Sequence, residues 1–359
     1  MNLIESPVNY DLDKFEGIPA NEGYYFPAEW EQHAATWLSW PHNTETWPGR
    51  FKHIFTAYCE FIRILSLSEQ VNINVGSVEL AKSAFTRIAQ YGAELDNIYF
   101  YLNPTNDAWC RDHGPAFLVN KDSSKPKIIV DWEYNAWGEK YPPFNLDNDI
   151  PATIASQLKL QLAKPGIVME GGSVDFNGAG ALITSKACLL NPNRNPNSSK
   201  EEIEQKLKDF YGVNEILWVQ EGIEGDDTDG HIDDTVRFVN ESTVISMVEK
   251  DSSDANFEPL KENLEILKEI RISGRELEII EIQMPEPMYY HGQRLPTSYA
   301  NFYISNEHVI APTFNSKNDD QAISILQNCF PSRKVAGIDS RELIWGFGSF
   351  HCLSQQEPL

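Results

Sequence analysis

The chain has 359 residues, enough for one large or two ordinary domains, and its 41% hydrophobic and 11% aromatic content indicates a folded globular protein. A formal net charge of −24 disfavours nucleic acid as a partner, because phosphate backbones are anionic, and favours small cations. The sequence shows no signal peptide and no apolar run of membrane-spanning length, so we expect a cytoplasmic protein that binds no membrane.

The first 150 residues alternate apolar runs with helical patterns. The runs ATWLSW, VNINVG and NIYFYLNP predict strands. One helix is predicted near residues 50–67, and a second before the third run. The segment GPAFLVNKDSSKPKIIVDWEY then predicts a hairpin.

The second half repeats the order hairpin, helix, strand three times. The hairpins turn at Asn177, Asn240 and Asn306, which are 63 and 66 residues apart. The helices are SSKEEIEQKLKDFYG, FEPLKENLEILKEI and DDQAISILQNCF, and the last unit closes with KVAGI and RELIWGFGSF as strands. Five such units would fill the chain, so we interpret residues 1–359 as one closed α/β domain. An open α/β sheet is the alternative.

Unusual polar residues precede the first strand of each hairpin. Asp112, Glu170, His231 and Asp233 all lie seven to nine residues before the asparagine of the following turn. If the units surround an axis, these equivalent positions converge on one cleft. Cys352 follows the last predicted strand and would join them.

Each of these residues also has an ordinary structural interpretation. Asp112 could pair with Arg111, the acidic run at residues 226–234 could be a solvated loop or a calcium site, and His231 could be structural. Cys352 could be a buried thiol that packs as a small apolar group. The shared position in the repeat favours a functional site.

The residue types suit chemistry on a planar cation. Paired carboxylates bind a guanidinium through bidentate hydrogen bonds, a thiolate can attack its carbon, and a histidine can act as acid and base. No phosphate-binding or dinucleotide-binding motif is present. Five scattered cysteines without CxxC pairs argue against a disulfide framework or a cysteine zinc site; they are Cys59, Cys110, Cys188, Cys329 and Cys352.

Five motifs carry a family resemblance: WCRDHGP, MEGGSVD, GDDTDGHIDDTVRF, LPTSYANFYI and GSFHCLSQQ. In this order they resemble the agmatine deiminases and the bacterial peptidylarginine-deiminase-like proteins of the guanidine-modifying superfamily, from about residue 28 to the end. The resemblance implies a five-bladed α/β propeller of ββαβ units, the pentein type, and hydrolysis without metal or organic cofactor. Gly346-Phe347-Gly348-Ser349 departs from the three glycines that are frequent in the family.

The resemblance also implies roles for individual residues. Cys352 would be the nucleophile and His231 the general acid and base. The remaining roles are guanidinium binding by Asp112 and Asp233, binding or orientation of the reacting groups by Glu170, and contact with the alkyl chain by Trp109. Apart from the resemblance, an acidic site formed with Asp107, Asp226 or Asp229 would suit the second cation at the far end of agmatine.

The expected reaction is hydrolysis of agmatine to N-carbamoylputrescine and ammonia through an amidino-cysteine intermediate, a step of putrescine and polyamine biosynthesis. A deiminase of free or peptidyl arginine is the enzymatic alternative, and it would need Arg111, Arg237 or Arg294 near the substrate carboxylate. A calcium-binding propeller that serves as an interaction module is the alternative without catalysis. The expected partner is a small cationic guanidine. A homo-oligomer and the roles of His113, His351 and Cys110 stay open.

Overall fold

The computed structural model describes residues 1–5 and 12–359, and its strands there form five larger sheets and two short hairpins. Four of the larger sheets have three strands in one order: the first two are antiparallel, and the third lies parallel to the second. These sheets comprise Ala116–Val119, Lys127–Val130 and Gln161–Ala163; Val174–Phe176, Ala181–Ser185 and Glu215–Val219; Val236–Asn240, Thr243–Val248 and Glu278–Gln283; and Tyr303–Ile304, His308–Thr313 and Lys334–Asp339.

The fifth sheet joins the two halves of the chain. Its strand His33–Ser39 pairs in parallel with Gln70–Asn74, which pairs with Ile98–Tyr101, and that strand pairs with Asn2–Ile4. On its other edge, His33–Ser39 pairs antiparallel with Ser354–Pro358. The segment that follows Cys352 therefore supplies the antiparallel strand that every other sheet receives from its own hairpin.

Helices connect the second strand of each three-stranded sheet to the third. The helix Lys200–Tyr211 shows why these segments fold as they do: Ser199 and Glu202 form a capping box at its start, and Ile203, Leu207 and Phe210 bury one face. The helices are Phe55–Leu65, Val78–Gln90, Cys110–His113, Ala136–Glu139, Asn145–Asn148, Ile150–Leu158, Lys186–Leu189, Lys200–Tyr211, Phe257–Glu269 and Asp319–Cys329, with 3₁₀ turns at Pro19–Glu22, Leu95–Asn97, Gly171–Ser173, Ile232–Asp234 and Leu343–Gly346. Across the described ranges, none of them has both the length and the apolar character to cross a bilayer.

The two small hairpins lie outside the repeated order. They pair Arg271–Ile272 with Arg275–Glu276, and Tyr289–Tyr290 with Gln293–Arg294. The first lies between the helix Phe257–Glu269 and the strand Glu278–Gln283 of the same sheet unit, and the second lies between that strand and the next sheet. The second hairpin reaches the rim of the large cavity described below.

The predicted alternation of hairpin, helix and strand is confirmed, and the chain is mixed α/β. The predicted strand in RELIWGFGSF is wrong. A 3₁₀ turn occupies Leu343–Gly346, and the backbone then turns at Phe347, whose φ is 68°. The reason is close packing against indole rings: a Cβ on Gly346 would lie 2.6 Å from Nε1 of Trp47, and one on Gly348 would lie 2.4 Å from Cζ3 of Trp109.

The polar segments that precede the first strands meet in space. The helix Cys110–His113 packs against the turn Gly171–Ser173, which packs against the turn Ile232–Asp234, and Ser354–Pro358 contacts the first of them. Segments from several sheets, far apart in sequence, are thereby brought to one place.

Candidate active site

A cavity of about 810 Å³ opens above Cys352. Its lower part contains Trp109, Asp112 and Cys352. Its walls are mainly aromatic and acidic, and they include Tyr134, Trp137, Tyr141, Tyr290, Trp345 and Phe347 together with Glu45, Asp107, Asp147 and Asp227. Such a surface suits a ligand with an apolar chain and positive charge.

The Cys352 thiol lies among acidic groups at the base of this cavity. Its Sγ accepts a hydrogen bond from Nδ2 of Asn301 at 3.0 Å and lies 3.6 Å from Oδ2 of Asp233. Burial raises the pKa of the thiol well above its usual value, and Asp233, Asp234 and Asp112 raise it further. These neighbours therefore favour the protonated thiol as long as no substrate cation is bound.

Asp233 offers one unused carboxylate oxygen. Its Oδ2 accepts a hydrogen bond from Nδ1 of His351 at 2.6 Å, while its fully buried Oδ1 has no hydrogen-bond partner in the described structure. Burial acts to raise the pKa of Asp233, but His351, His231 and Arg237 outweigh it, and the net shift is downward. A buried anionic oxygen is thus left for a donor that the chain does not supply.

Asp112 is the second carboxylate next to the thiol. It accepts hydrogen bonds from the Gly172 amide at 2.9 Å and from Nε1 of Trp137 at 3.0 Å. Burial, together with Asp233 and Glu170, raises its pKa to about 6 against the opposing effect of His231. Gly172 makes this packing feasible, since a Cβ there would lie 2.5 Å from Nδ1 of His231 and 2.8 Å from Oδ1 of Asp112.

His231 stands between these carboxylates. Its Nδ1 lies 3.8 Å from Oδ1 of Asp112 and 4.0 Å from Oδ1 of Asp233. Burial alone would lower the pKa of the imidazole, but Asp112, Cys188 and Asp233 together raise it well above the usual value. His231 is therefore a cation in the unliganded site and can donate a proton.

Glu170 is fully buried on the far side of His231. Its Oε1 accepts a hydrogen bond from Nε of Arg194 at 2.8 Å, and its Oε2 has no partner in the described ranges. Glu170, Cys188 and His231 place donor atoms within 4.8 Å of one another, and they are the group in the described chain that could hold a metal ion. Burial raises the pKa of the Cys188 thiol, which keeps this potential ligand protonated.

The residues predicted to bind the substrate separate into two groups. Trp109 and Asp107 line the cavity. The carboxylate of Asp107 already accepts hydrogen bonds from Oγ1 of Thr46 at 2.6 Å and from the Ala108 amide at 2.7 Å. Its side chain is therefore held in place on the wall.

Asp226 and Asp229 are not among the residues that line the cavity. Asp226 accepts hydrogen bonds from the amides of Gly230 at 2.9 Å and His231 at 3.2 Å, so it shapes the loop that carries the histidine. Asp229 pairs with Lys140 and Arg194. Both carboxylates therefore form hydrogen bonds or ion pairs with other residues of the chain and do not face the cavity.

Asp227, between these two, does line the cavity. Its Oδ2 accepts a hydrogen bond from the Tyr141 hydroxyl at 2.5 Å. Burial is the main cause that raises its pKa to about 6. Sequence reasoning missed this residue because three aspartates stand within four positions and only one of them faces the cavity.

The three arginines that could have bound a substrate carboxylate form ion pairs with other residues of the chain. Arg111 pairs with Glu29 at 3.2 Å, Arg237 with Asp175 at 2.9 Å, and Arg294 with Asp254 at 2.6 Å. None of them lines the large cavity. In the described chain, Lys140 is the one lysine or arginine on its wall, and it is paired with Asp229.

Three residues that hydrogen-bond to the predicted site residues were not predicted from the sequence: Asn301, Trp137 and Arg194. Asn301 lies in LPTSYANFYI, at the start of a hairpin, so its position in the repeat is the signal that could have identified it. Trp137 lies in the short segment Ala136–Glu139, where its own φ is 56°, and Arg194 lies in a turn, so neither position carries such a signal. His113 and Cys110 are buried; burial lowers the pKa of His113 to about 3 and raises that of Cys110 to about 12.

The site consists of a buried cysteine, a cationic histidine and carboxylates with unused oxygens, and this arrangement defines a class of enzyme that acts on cationic amidines. The family model described as Porphyromonas-type peptidyl-arginine deiminase matches residues 25–358. The chain belongs to this family.

Individual relatives cover nearly the whole chain. A Legionella pneumophila (strain Paris) protein that carries the provisional name agmatine deiminase is 36% identical over 345 residues, which are 95% of this chain and 97% of that protein. The agmatine deiminase of Medicago truncatula is 32% identical, over 96% of this chain and 98% of its own. The solved structure of the Enterococcus faecalis agmatine deiminase has a TM-score of 0.88 at 29% identity and covers 96% of this chain and 99% of its own.

Proposed function

We propose that this protein is an agmatine deiminase, a hydrolase that acts on a C–N bond of a linear amidine. It converts agmatine and water into N-carbamoylputrescine and ammonia. The observation that carries the proposal is the grouping of the Cys352 thiol with Asp112 and Asp233, whose buried Oδ1 has no partner in the described structure. Cys352 and Asp112 line a cavity whose one lysine or arginine, Lys140, is already paired with Asp229. The relatives named agmatine deiminase support it.

Binding of the guanidinium completes the hydrogen bonds that the free site lacks. Asp233 and Asp112 accept its N–H groups and hold its plane over the sulfur, while Glu170 orients the reacting nitrogen. The added positive charge counteracts the acidic groups that keep Cys352 protonated, so the thiol releases its proton to solvent when the substrate is present, and the departing ammonia leaves as ammonium. Trp109 contacts the apolar chain.

The chemistry then runs in two stages. The Cys352 thiolate adds to the guanidinium carbon, and a C–S bond forms. His231 donates its proton to one nitrogen, that C–N bond breaks, and ammonia leaves, so an amidino-cysteine remains. His231, now neutral, takes a proton from water as its oxygen attacks the same carbon, and the C–S bond breaks to give the ureido product and Cys352.

Agmatine fits this cavity better than arginine because of charge. Both molecules carry the guanidinium, but arginine adds a carboxylate, which would meet Asp227 and Asp107 rather than an unpaired cation. Asp227 has the free oxygen best placed for the distal ammonium, since its other oxygen is taken by Tyr141. We therefore propose Asp227, in place of Asp226 and Asp229, as the contact for the far end of the substrate.

The sheet pattern supports the remaining parts of the proposal. Five sheets with a common strand order, the fifth completed by Ser354–Pro358, suit a five-bladed propeller of ββαβ units that forms one catalytic domain over residues 1–359. We place the enzyme in the cytoplasm, with a small guanidine as its ligand and without a required metal or nucleic acid partner.

An assay of ammonia release from agmatine, free arginine and a peptidyl arginine tests the proposal. We expect the highest kcat/KM for agmatine, at low and at high salt, because the preference depends on short-range contacts and not on the long-range field that salt screens. Equal or better use of arginine or of the peptide would move the assignment to a deiminase of that substrate. Ammonia release that requires calcium would contradict the metal-free mechanism.

A further inference from the structure

A second group of charges lies directly behind the site and takes no part in the chemistry above. His351 stands between two carboxylates: its Nδ1 lies 2.6 Å from Oδ2 of Asp233, and its Nε2 lies 2.9 Å from Oε2 of Glu29. All three side chains are buried. An imidazole can donate to both carboxylates only when both of its nitrogens are protonated.

We infer that His351 and Glu29 are positioning residues that hold Asp233 anionic, with its free oxygen aimed at the guanidinium. This inference rests on the proposed function, because it assigns Asp233 to the substrate cation. It gives a role to two residues that sequence reasoning left without one.

Glu29 is anchored independently of the substrate. Its Oε1 accepts a hydrogen bond from the Ile304 amide at 2.7 Å, and its Oε2 lies 3.2 Å from Nη2 of Arg111 and 3.1 Å from Nη2 of Arg237. Burial opposes its ionisation, but Arg237, His351 and Arg111 hold its pKa well below the usual range. Glu29 is therefore a fixed anion that holds Nε2 of His351 in place.

His351 joins the site to a buried group of arginine–carboxylate pairs. Arg111 and Arg237 both pair with Glu29, and Arg237 also pairs with Asp175. His351 links this group to Asp233, since its two ring nitrogens lie against Glu29 and Asp233.

The consequence concerns the orientation and charge of Asp233. With Oδ2 bound to His351, rotation of the carboxylate is blocked, and Oδ1 stays on the side of His231. The groups that face Asp233 are His351, His231, Arg237, Cys352, Asp112 and Asp234. Of the residues that lower the pKa of Asp233, His351 has the largest effect and makes the short hydrogen bond. Loss of His351 therefore raises this pKa, while His231 and Arg237 still oppose burial.

The test is the pH dependence of kcat/KM for agmatine in His351→Gln and Glu29→Gln. Once Asp233 protonates more readily, we expect His351→Gln to lose about tenfold or more near pH 6 and to regain activity as pH rises, because one unit of pKa is a factor of ten. Glu29→Gln keeps an acceptor for Nε2 but loses the charge, so we expect the same change at smaller size. His113→Gln is the matched control, since His113 is equally buried and has no carboxylate partner.

A second readout does not depend on turnover. Alkylation of Cys352 by a cationic haloacetamidine is compared with alkylation by a neutral haloacetamide, in proteins shown to be folded by circular dichroism. We expect the wild type to prefer the cationic reagent and the two variants to lose part of that preference near pH 6. No preference in the wild type would contradict the proposed function. A wild-type preference retained in Glu29→Gln, with an unchanged pH profile, would overturn the inference even if His351→Gln did not fold.

Discussion

The two sides of Asp233 satisfy their charges in opposite ways. Behind it, Glu29 and Asp175 are each matched by an arginine, and Glu29 accepts from donors on several segments of the chain. In front of it, the Oδ1 of Asp233 lacks any partner in the described structure, and Asp112 has a raised pKa. The carboxylates behind Asp233 are thus paired within the chain, whereas the front keeps a buried carboxylate oxygen without a donor in the described structure. Binding specificity follows from that difference.

Removal of the nucleophile is the most severe change to the front. We expect Cys352→Ala to release no ammonia from agmatine while the fold persists, because the thiol makes few contacts that hold other elements. Ammonia assays and thermal melting measure the two effects. Cys59→Ala is the matched control, a buried thiol in the helix Phe55–Leu65, and it should stay active. Substantial turnover by Cys352→Ala would remove the nucleophile assignment.

Loss of the acid and base is the next largest effect. We expect His231→Asn to reduce kcat by roughly a hundredfold to ten-thousandfold, the usual range for one general acid or base. His113→Asn should change kcat little, since His113 is buried, neutral and outside the carboxylate group. Steady-state rates on agmatine decide between them. The reverse order of losses would transfer the role to His113.

A substitution at Asp227, on the cavity wall, tests substrate binding separately from the reacting groups. We expect Asp227→Asn to lower kcat/KM for agmatine by about tenfold, mainly through KM, because a charged hydrogen bond is worth somewhat more than 1 kcal/mol. With its pKa raised to about 6, protonation of Asp227 in the wild type should also increase KM as pH falls below that value. Asp122→Asn, at an exposed position, is the control. A pH-independent KM from pH 5 to 8 would contradict this role.

The last expected effect concerns stability and not turnover. The pKa of Asp112 is about 6 in the folded protein and 3.8 unfolded, so the folded state binds this proton more tightly. Stability should therefore fall as pH rises through that window, by about 3 kcal/mol for two pKa units. Asp112→Asn removes this dependence. We expect the difference in melting temperature between Asp112→Asn and the wild type to be more in favour of the variant at pH 8 than at pH 4. The variant should also lose activity. An equal difference at both pH values would contradict the shift.

The sequence was sufficient for the repeated elements because each has a local cause. Alternating apolar residues, asparagine turns and the Ser199 cap act within a few positions, and the observed strands and helices follow them. The helix Ile150–Leu158 and the strand Gln161–Ala163 were missed, since their hydrophobic pattern is short and weak. The final strand was predicted in RELIWGFGSF but lies at Ser354–Pro358. Gly346 and Gly348 of the predicted segment pack against Trp47 and Trp109, and the sequence does not show these contacts because the residues are far apart in the chain.

The same division holds for the site. Asp112, Glu170, His231 and Asp233 could be found because a repeat places equivalent positions together. The sequence could not show which aspartate of the loop faces the cavity. Asp226, Asp227 and Asp229 differ only in the direction in which the loop places each side chain. Glu29 lies before the first sheet and outside the repeat, so its contact with His351 depends on tertiary structure alone.

The pairing of Ser354–Pro358 with His33–Ser39 has a consequence for biosynthesis. A ribosome must complete more than 300 residues between the two partners before they can meet, so the contact order of this sheet is high. Until residue 358 has emerged, the strand His33–Ser39 exposes an unpaired edge, and Cys352 has no place beside Asp233. Nascent chains should thus be inactive and prone to aggregation, and a nascent-chain series stalled before and after this strand would show when the thiol becomes protected.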